Sequence, residues 1–399
     1  MLEKKPIEKN FKSNIIKIHI FSFILGIHTV RAVYIPYMTI WGGLSFFQIM
    51  LLQSYFTAMI VLLEIPSGAI ADFLGRKTAL VLSALSVSFA AFSYSIVPNF
   101  FLFILAETFW AFGVALMSGT NQAFLFLSLK SYGEEENLSK ILGRATTMRL
   151  IALTISAPIG SLIAEFISLQ FTMTCLGFIY IGAFVFALTF REPKLATNND
   201  YKQENYFSII KSGFKELKQN RILRTLALDW IPIDALIMFL FWTHQVYFQV
   251  MNIPIFFLGF IAALMNITQA IFMNLIPKLL KKSKNKKRFI IIVNLTDGIV
   301  YLLLGITTII PLGLALVLLL VSFGYTRFLI FVDGINNQID SENRATVLST
   351  INMFGSLIRA ILYPFIGILV EINVLMVFII IGTLILFFTL FTRSKSEYL

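Results

Sequence analysis

Cysteine, histidine and charge are all scarce in this sequence. A single cysteine, Cys175, rules out an intramolecular disulfide. Three histidines, His19, His28 and His244, are too scattered to form a metal cluster, so no metal is expected. Only 13% of the 399 residues are charged, about half the share of an ordinary soluble domain. No GxxxxGK[ST] loop is present to cradle a nucleotide phosphate, and no serine sits in a G-x-S-x-G turn. These gaps argue against ATP hydrolysis by this chain and give no footing to an enzyme or a cofactor. The start of the chain is Lys-rich, yet its apolar run passes Val30 without an A-x-A site, so a first span that stays in place is expected.

What fills the chain instead is apolar surface: 58% hydrophobic residues, among them 41 phenylalanines. One helix needs about 20 apolar residues to cross a hydrocarbon core of about 30 Å. Twelve such segments can be marked, near 15–38, 46–70, 77–97, 100–127, 141–164, 171–190, 222–246, 255–276, 289–310, 312–334, 345–370 and 372–392. The expected class is an all-α membrane protein of twelve transmembrane helices, embedded in the lipid bilayer.

The net charge of +11 is not laid out as a groove for nucleic acid. Lys and Arg are missing from 39–75, 78–129, 225–277 and 289–326, and gather at 4–17, 76–77, 130–149, 191–224, 278–288 and 393–395. Sorting the turns by charge puts both termini and the turns at 71–76, 128–140, 191–221, 277–288 and 335–344 on one side. The turns near 39–45, 98–99, 165–170, 247–254, 311 and 371 carry no Lys or Arg. The positive-inside rule then predicts cytoplasmic termini and a multi-pass protein of the inner (plasma) membrane.

The longest connection, 191–221, divides the spans six and six, giving expected domains 1–190 and 222–399 with a linker at 191–221. The linker passes through Thr197-Asn-Asn-Asp200 and ends in a stretch where Phe207, Ile210, Phe214 and Leu217 recur at helical spacing beside Lys211, Lys215 and Lys218. That pattern fits either a helix on the anionic inner leaflet or a plain tether. The halves echo each other weakly: Pro158-Ile-Gly-Ser-Leu-Ile-Ala-Glu165 against Pro364-Phe-Ile-Gly-Ile-Leu-Val-Glu371, and Arg144-Ala-Thr against Arg344-Ala-Thr, the latter out of register. Repeated halves place a central site at the repeat interface in many carriers.

An ionised side chain near the bilayer centre costs about 2.5–3.5 kcal/mol, so those that persist usually face a cavity or a partner. Arg31 and Glu107 lie at matching depth in the outer thirds of segments one and four. His28 precedes Arg31 by about one turn, and Trp110 follows Glu107 by about one turn. This quartet is the first site expected, against the plainer reading of a structural ion pair. In the second half, Asp229 and Asp234 lie on segment seven, Arg327 on segment ten and Arg359 on segment eleven. Asp229 is placed to pair with Arg327, while Asp234 and Arg359 both sit mid-span. The two aspartates are about 140° apart around a helix, and Trp230 shares a face with Asp234. A carboxylate in a low-dielectric cavity tends to keep a proton, and a nearby arginine favours its release. Glu107 and Asp234 are the expected proton carriers. Asp297 is read as structural, and Asp333 as reaching water.

One stretch is specific: Gly68-Ala-Ile-Ala-Asp72-Phe-Leu-Gly75-Arg76-Lys77, set between two apolar segments and continuing an i, i+4, i+8 stripe from Glu64. It resembles the signature loop between helices two and three of the major facilitator superfamily. Glu64-Ile-Pro-Ser-Gly68, and Asn336 with Arg344-Ala-Thr-Val-Leu-Ser349, resemble bacterial efflux-type members. The resemblance implies a gating role for Glu64, Gly68, Asp72, Gly75, Arg76 and Lys77. It also implies a substrate cavity lined by segments one, four, seven and ten, where Arg31, Glu107, Asp234 and Arg327 fall.

Departures from the family patterns are also legible. Ala157-Pro158-Ile159-Gly160-Ser161 lacks the G-P-x-x-G-G of proton antiporters, and Arg191-Glu192-Pro193-Lys194 is a poor match to the sugar-porter element. Gln122, Phe126 and Leu127 stand where related efflux sequences carry acidic and tyrosyl residues, which points to a less cationic substrate. The leading expectation is a monomeric, proton-coupled exporter of a small amphipathic organic compound. An uptake symporter, a lipid flippase and a non-transporting receptor are the alternatives.

Overall fold

The computed structural model describes residues 12–131, 133–193, 206–282, 285–339 and 344–399. Among the described residues the regular secondary structure is entirely helical. Eleven helical stretches are long and apolar enough to cross a membrane, and a shorter apolar helix, Val374–Leu390, completes the twelve expected from the sequence. The runs at 1–11 and 194–205, including the Asn-rich part of the linker, lie outside the described residues. So do the side chains of Phe207, Ile210, Lys211 and Arg344.

The chain divides into two compact units: Met1–Leu44 with Tyr55–Lys202 and Ile255–Ala263, and Ser45–Ser54 with Gln203–Pro254 and Leu264–Leu399. Helices in chain order are α1 (Lys12–Gly26), α2 (Phe46–Leu74), α3 (Arg76–Ile96), α4 (Phe100–Met117), α5 (Thr120–Lys130), α6 (Leu138–Phe166) and α7 (Leu169–Leu188). They continue as α8 (Tyr206–Gln219), α9 (Arg221–Met238), α10 (Leu240–Val250), α11 (Ile255–Lys282), α12 (Lys286–Ile306), α13 (Ile310–Asn337), α14 (Arg344–Ile372) and α15 (Val374–Leu390).

Helix starts follow local chemistry. Asn99, Ser168, Asn220, Asn285 and Asn373 each accept hydrogen bonds from main-chain N–H groups in the first turn of α4, α7, α9, α12 and α15. In lipid the hydrophobic effect gives helices no reason to associate, so small residues and interhelical hydrogen bonds must do it. In the first unit, Ser83, Ser86 and Ser88 on α3 donate to the carbonyls of Gly113, Phe109 and Gly177 at 2.6, 2.7 and 2.9 Å. The second unit uses glycine at the equivalent place: a Cβ on Gly382 of α15 would lie 2.7 Å from the Gly298 carbonyl oxygen of α12.

Among the described residues three membrane segments are broken. The first stops at Gly26 and resumes as short 3-10, α and π turns from Arg31 to Trp41. The fourth breaks at Ser118 and Gly119, the glycine at φ +69°. The seventh breaks at Phe239, seven residues after Pro232. The linker helix α8 docks on α14: Leu217 is buried, Phe214 lies 6.1 Å from Phe354 between ring centroids, and a Cβ on Gly213 would meet Thr350 Cβ at 3.1 Å. Neither sequence reading anticipated that contact, because nothing in the local pattern of α8 names its partner.

Candidate functional site

In the first unit the break in segment one is fastened on both sides. Gly26 lets α1 approach α6 so closely that a Cβ there would lie 2.9 Å from the Arg149 Cα. The His28 main-chain N–H donates to Ser156 Oγ at 3.0 Å, and Thr29 Oγ1 donates to the Thr172 carbonyl at 2.7 Å. The His28 N–H that a continuous helix would have paired is taken by α6 instead, and the Thr29 side chain adds a tie to α7. The turn starting at Arg31 is thereby held against α6.

Around this break the structure gathers polar groups. The His28 and Trp110 rings lie 5.7 Å apart at 33°. Glu107 is buried, and its Oε1 accepts from Tyr94 Oη at 2.5 Å and from Tyr34 Oη at 3.5 Å. Tyr37 Oη donates to the Tyr94 carbonyl at 2.7 Å and fixes that strut in turn. So Glu107 is braced by two tyrosines that the sequence reading did not single out. Arg149 was missed as well, because it closes the basic block 130–149 that the charge sorting assigns to the cytoplasmic side. It lies about 16 Å along α6 from Leu138, well inside the span. Its main chain is where α1 approaches α6 at Gly26.

In the second unit Asp234 and Arg359, both mid-span, form an ion pair: Nη1 to Oδ2 is 3.3 Å, with Nη2 donating to Ser356 Oγ at 2.9 Å. Both side chains are partly accessible. The expected pairing of Asp229 with Arg327 is not the contact formed. Arg327 Nη2 donates to the Asp229 main-chain carbonyl at 3.0 Å, and its guanidinium lies over the Phe331 ring. The Asp229 carboxylate turns instead to the end of the chain, where Oδ2 accepts from the N–H groups of Arg393 (2.9 Å) and Ser394 (2.6 Å) and from Ser394 Oγ (2.5 Å). Trp230, placed in the cavity by its spacing from Asp234, is buried in the core, stacked at 2° on Phe331 with centroids 6.1 Å apart. Aromatic packing outweighs a shared helix face there. Asp297 is fully buried within electrostatic reach of Arg327, and neither carboxylate oxygen has a hydrogen-bond partner among the described residues.

The signature loop is a compact ion and cap arrangement. Arg76 Nη2 pairs with Asp72 Oδ1 at 2.6 Å. Gly75 takes φ +95°, which an L side chain rarely adopts, and a Cβ there would sit 2.9 Å from Glu192 Cδ. Glu192 accepts from the N–H groups of Arg76 at 2.8 Å and Lys77 at 2.7 Å, capping α3 with a carboxylate where the helix dipole favours one. Gly68 is exposed with open space where a Cβ would go, and Glu64 is partly buried one turn earlier on α2. Among the described residues no His, Cys, Asp and Glu group has metal-binding spacing.

The sequence profile described as Major Facilitator Superfamily matches residues 20–363. The chain belongs to this superfamily. No curated protein sequence matches it significantly. Among solved structures it is similar to a mutant of the nucleoside transporter NupG, with a TM-score of 0.80 at 15% identity, covering 96% of this chain and 100% of that one. It is also similar to a bacterial homologue of the human lysosomal transporter Spinster in an inward-facing state, with a TM-score of 0.73 at 14% identity, covering 98% and 96%. A D-xylose–proton symporter gives a TM-score of 0.72 at 11% identity, covering 98% and 100%. At these identities the likeness is one of fold. Membership places the chain among multi-pass membrane transporters rather than enzymes.

Proposed function

We propose that this member of the superfamily is a proton-coupled secondary active transporter that moves a small amphipathic organic molecule by alternating access. The observation that carries the reading is the Asp234–Arg359 pair, an accessible carboxylate and guanidinium in the middle of apolar helices. Charges at that depth are costly, and a pair that both water and protein can reach is suited to exchanging a proton for its partner. Glu107, braced by Tyr94 and Tyr34, is the second proposed proton carrier.

We propose export as the direction, on the Glu64-Ile-Pro-Ser-Gly68 run and its efflux-type resemblance. Uptake symport is the second reading, favoured by the likeness to a proton symporter. The gating residues Glu64, Gly68, Asp72, Gly75, Arg76 and Lys77 are proposed to tie loop geometry to the exchange between states. Full-length protein in proteoliposomes with an imposed proton gradient tests the coupling. Substrate movement is expected to stop when an ionophore collapses the gradient, and Glu107→Gln or Asp234→Asn is expected to uncouple it. Movement indifferent to the gradient, or unchanged proton flux in both variants, sinks the proposal. The sign of the gradient that drives accumulation decides export against uptake.

A further inference from the structure

We propose that Asn294, Asp297 and Arg327 enclose an internal water site in the second unit, where bound water bridges the carboxylate to the guanidinium. The inference goes beyond the transport reading and does not depend on it.

Three helices face one another there, and side chains at helical spacing fix which faces meet. On α9 the stripe is Trp230, Ile233 and Ile237, its ends seven residues or about 10 Å apart. Both ends are pinned. At one end Trp230 stacks on Phe331 of α13 with centroids 6.1 Å apart, in the same core cluster as Ile290 of α12. At the other, Tyr301 of α12 donates to the Ile237 carbonyl at 3.1 Å, and a Cβ on Gly324 of α13 would lie 2.7 Å from Ile237 Cγ2. Asn294 and Asp297 fall between Ile290 and Tyr301 on one face of α12, and Arg327 falls between Gly324 and Phe331 on one face of α13. Packing at both ends therefore sets these polar side chains into one buried layer. A bond from Arg327 Nη2 to the Asp229 carbonyl of α9, at 3.0 Å, holds the guanidinium there.

The layer is short of partners. Asn294, Asp297, Arg327 and Trp230 are each at most 3% exposed. Among the described residues Asn294 Oδ1 and both Asp297 carboxylate oxygens have no donor, and Arg327 Nε, Arg327 Nη1 and Trp230 Nε1 have no acceptor. The other carboxylates of α9 are engaged, Asp229 by Arg393 and Ser394 and Asp234 by Arg359. Buried polar atoms are almost always hydrogen-bonded, and a charge buried alone is far more costly than a neutral group. These atoms are half acceptors and half donors, so whatever completes them must both donate and accept. A metal ion would be repelled by the guanidinium, and an anion by the carboxylate. Water suits both, and about two molecules making about three bonds each satisfy the set. Room is left beside Arg327, since a Cβ on Gly324 would meet only Ile237 within 4 Å among the described residues.

Radiolytic hydroxyl labelling of the full-length protein in detergent, in heavy-oxygen water with mass spectrometry, tests the site. Radicals made from bound water oxidise the side chains beside it. Phe331 and Phe190 are both fully buried, Phe331 against Arg327 and Phe190 between Phe21 and Phe124. Phe331 is expected to label several-fold more than Phe190. Equal labelling overturns the inference on the wild-type protein alone. Asp297→Leu combined with Arg327→Met exchanges the pair for apolar side chains, a change that buried ion pairs often tolerate. Labelling of Phe331 is then expected to fall to the level of Phe190; labelling that survives belongs to water held elsewhere and overturns the inference. Thermal unfolding separates the hydrated pair from a dry layer holding a neutral carboxyl. Asp297→Glu keeps the charge and displaces water with its added methylene, so it is expected to melt above Asp297→Asn. A dry layer gives the reverse order and sinks the proposal, because the methylene overfills it while an amide replaces a neutral acid at little cost.

Discussion

At the scale of single residues, spacing along the chain found charges but not their partners. Asp229 and Asp234 look alike in sequence, two carboxylates five positions apart on one apolar segment. One is tied by three hydrogen bonds to Arg393 and Ser394, and the other faces Arg359. Asp229→Asn is therefore expected to lower thermal stability by about 1–3 kcal/mol while leaving proton flux unchanged, because the amide still accepts but weakly. A loss of flux with unchanged melting temperature would return Asp229 to the cavity. Glu192 gives the second case. Its carboxylate caps α3 from 116 residues away, so no local motif could reveal it. Glu192→Gln is expected to cost about 1 kcal/mol in thermal unfolding, since the cap loses its charge at a helix N-terminus. An unchanged melting temperature removes the cap from the account. By contrast Asp72 and Arg76 stand out in the sequence through the loop's resemblance, and the pair they form is local, four residues apart.

At the scale of elements, the spans could be read directly and their interruptions could not. Lipid demands a run of apolar residues long enough to cross, and that demand is written locally. The break at Phe239 carries no such signature, since the sequence there is as apolar as the helices around it, and at 27–30 only His28 and Thr29 interrupt the apolar run. The break at 27–30 persists because Ser156, on another helix, accepts the His28 N–H that a continuous helix would have paired, while the Thr29 hydroxyl ties the turn to α7. The break in segment four does have a local cause, Gly119 at φ +69° with open space around it. Gly119→Ala is expected to destabilise by about 1 kcal/mol through backbone strain alone, since a Cβ would meet no atom. A stabilising effect in thermal unfolding would mean that the turn relaxes into a continuous helix. The linker helix follows the same logic. Its helical spacing is visible in Phe214 and Leu217, but its docking on α14 through Leu217 and Gly213 is a tertiary fact.

At the scale of the whole molecule, the arrangement of charge across turns makes a claim about sidedness. We propose cytoplasmic termini and, as domains, 1–190 and 222–399 joined by the linker 191–221. The single native cysteine makes the sidedness easy to examine, since Cys175→Ser leaves a background without thiols. In that background, a cysteine replacing Glu134 is expected to resist a membrane-impermeant maleimide in intact cells. One replacing Asn252 is expected to react. The reverse pattern would invert the topology and, with it, the side on which the signature loop at 68–77 acts.

Composition, span count and the charged turns are consequences of the solvent, and the sequence by itself determined them. A bilayer tests every residue against the same apolar medium, so a local reading is enough. The signature loop joins that list only in part: its Asp72–Arg76 pair is local, while its carboxylate cap comes from distant Glu192. Only the tertiary structure decided that α1 meets α6 at Arg149, that two tyrosines brace Glu107, and that the Asp234 carboxylate rather than the Asp229 carboxylate pairs with a guanidinium. Those outcomes depend on which helix faces lie together. That is set by small residues such as Gly26 and by hydrogen bonds between distant segments, whose partners are not written beside them in the chain.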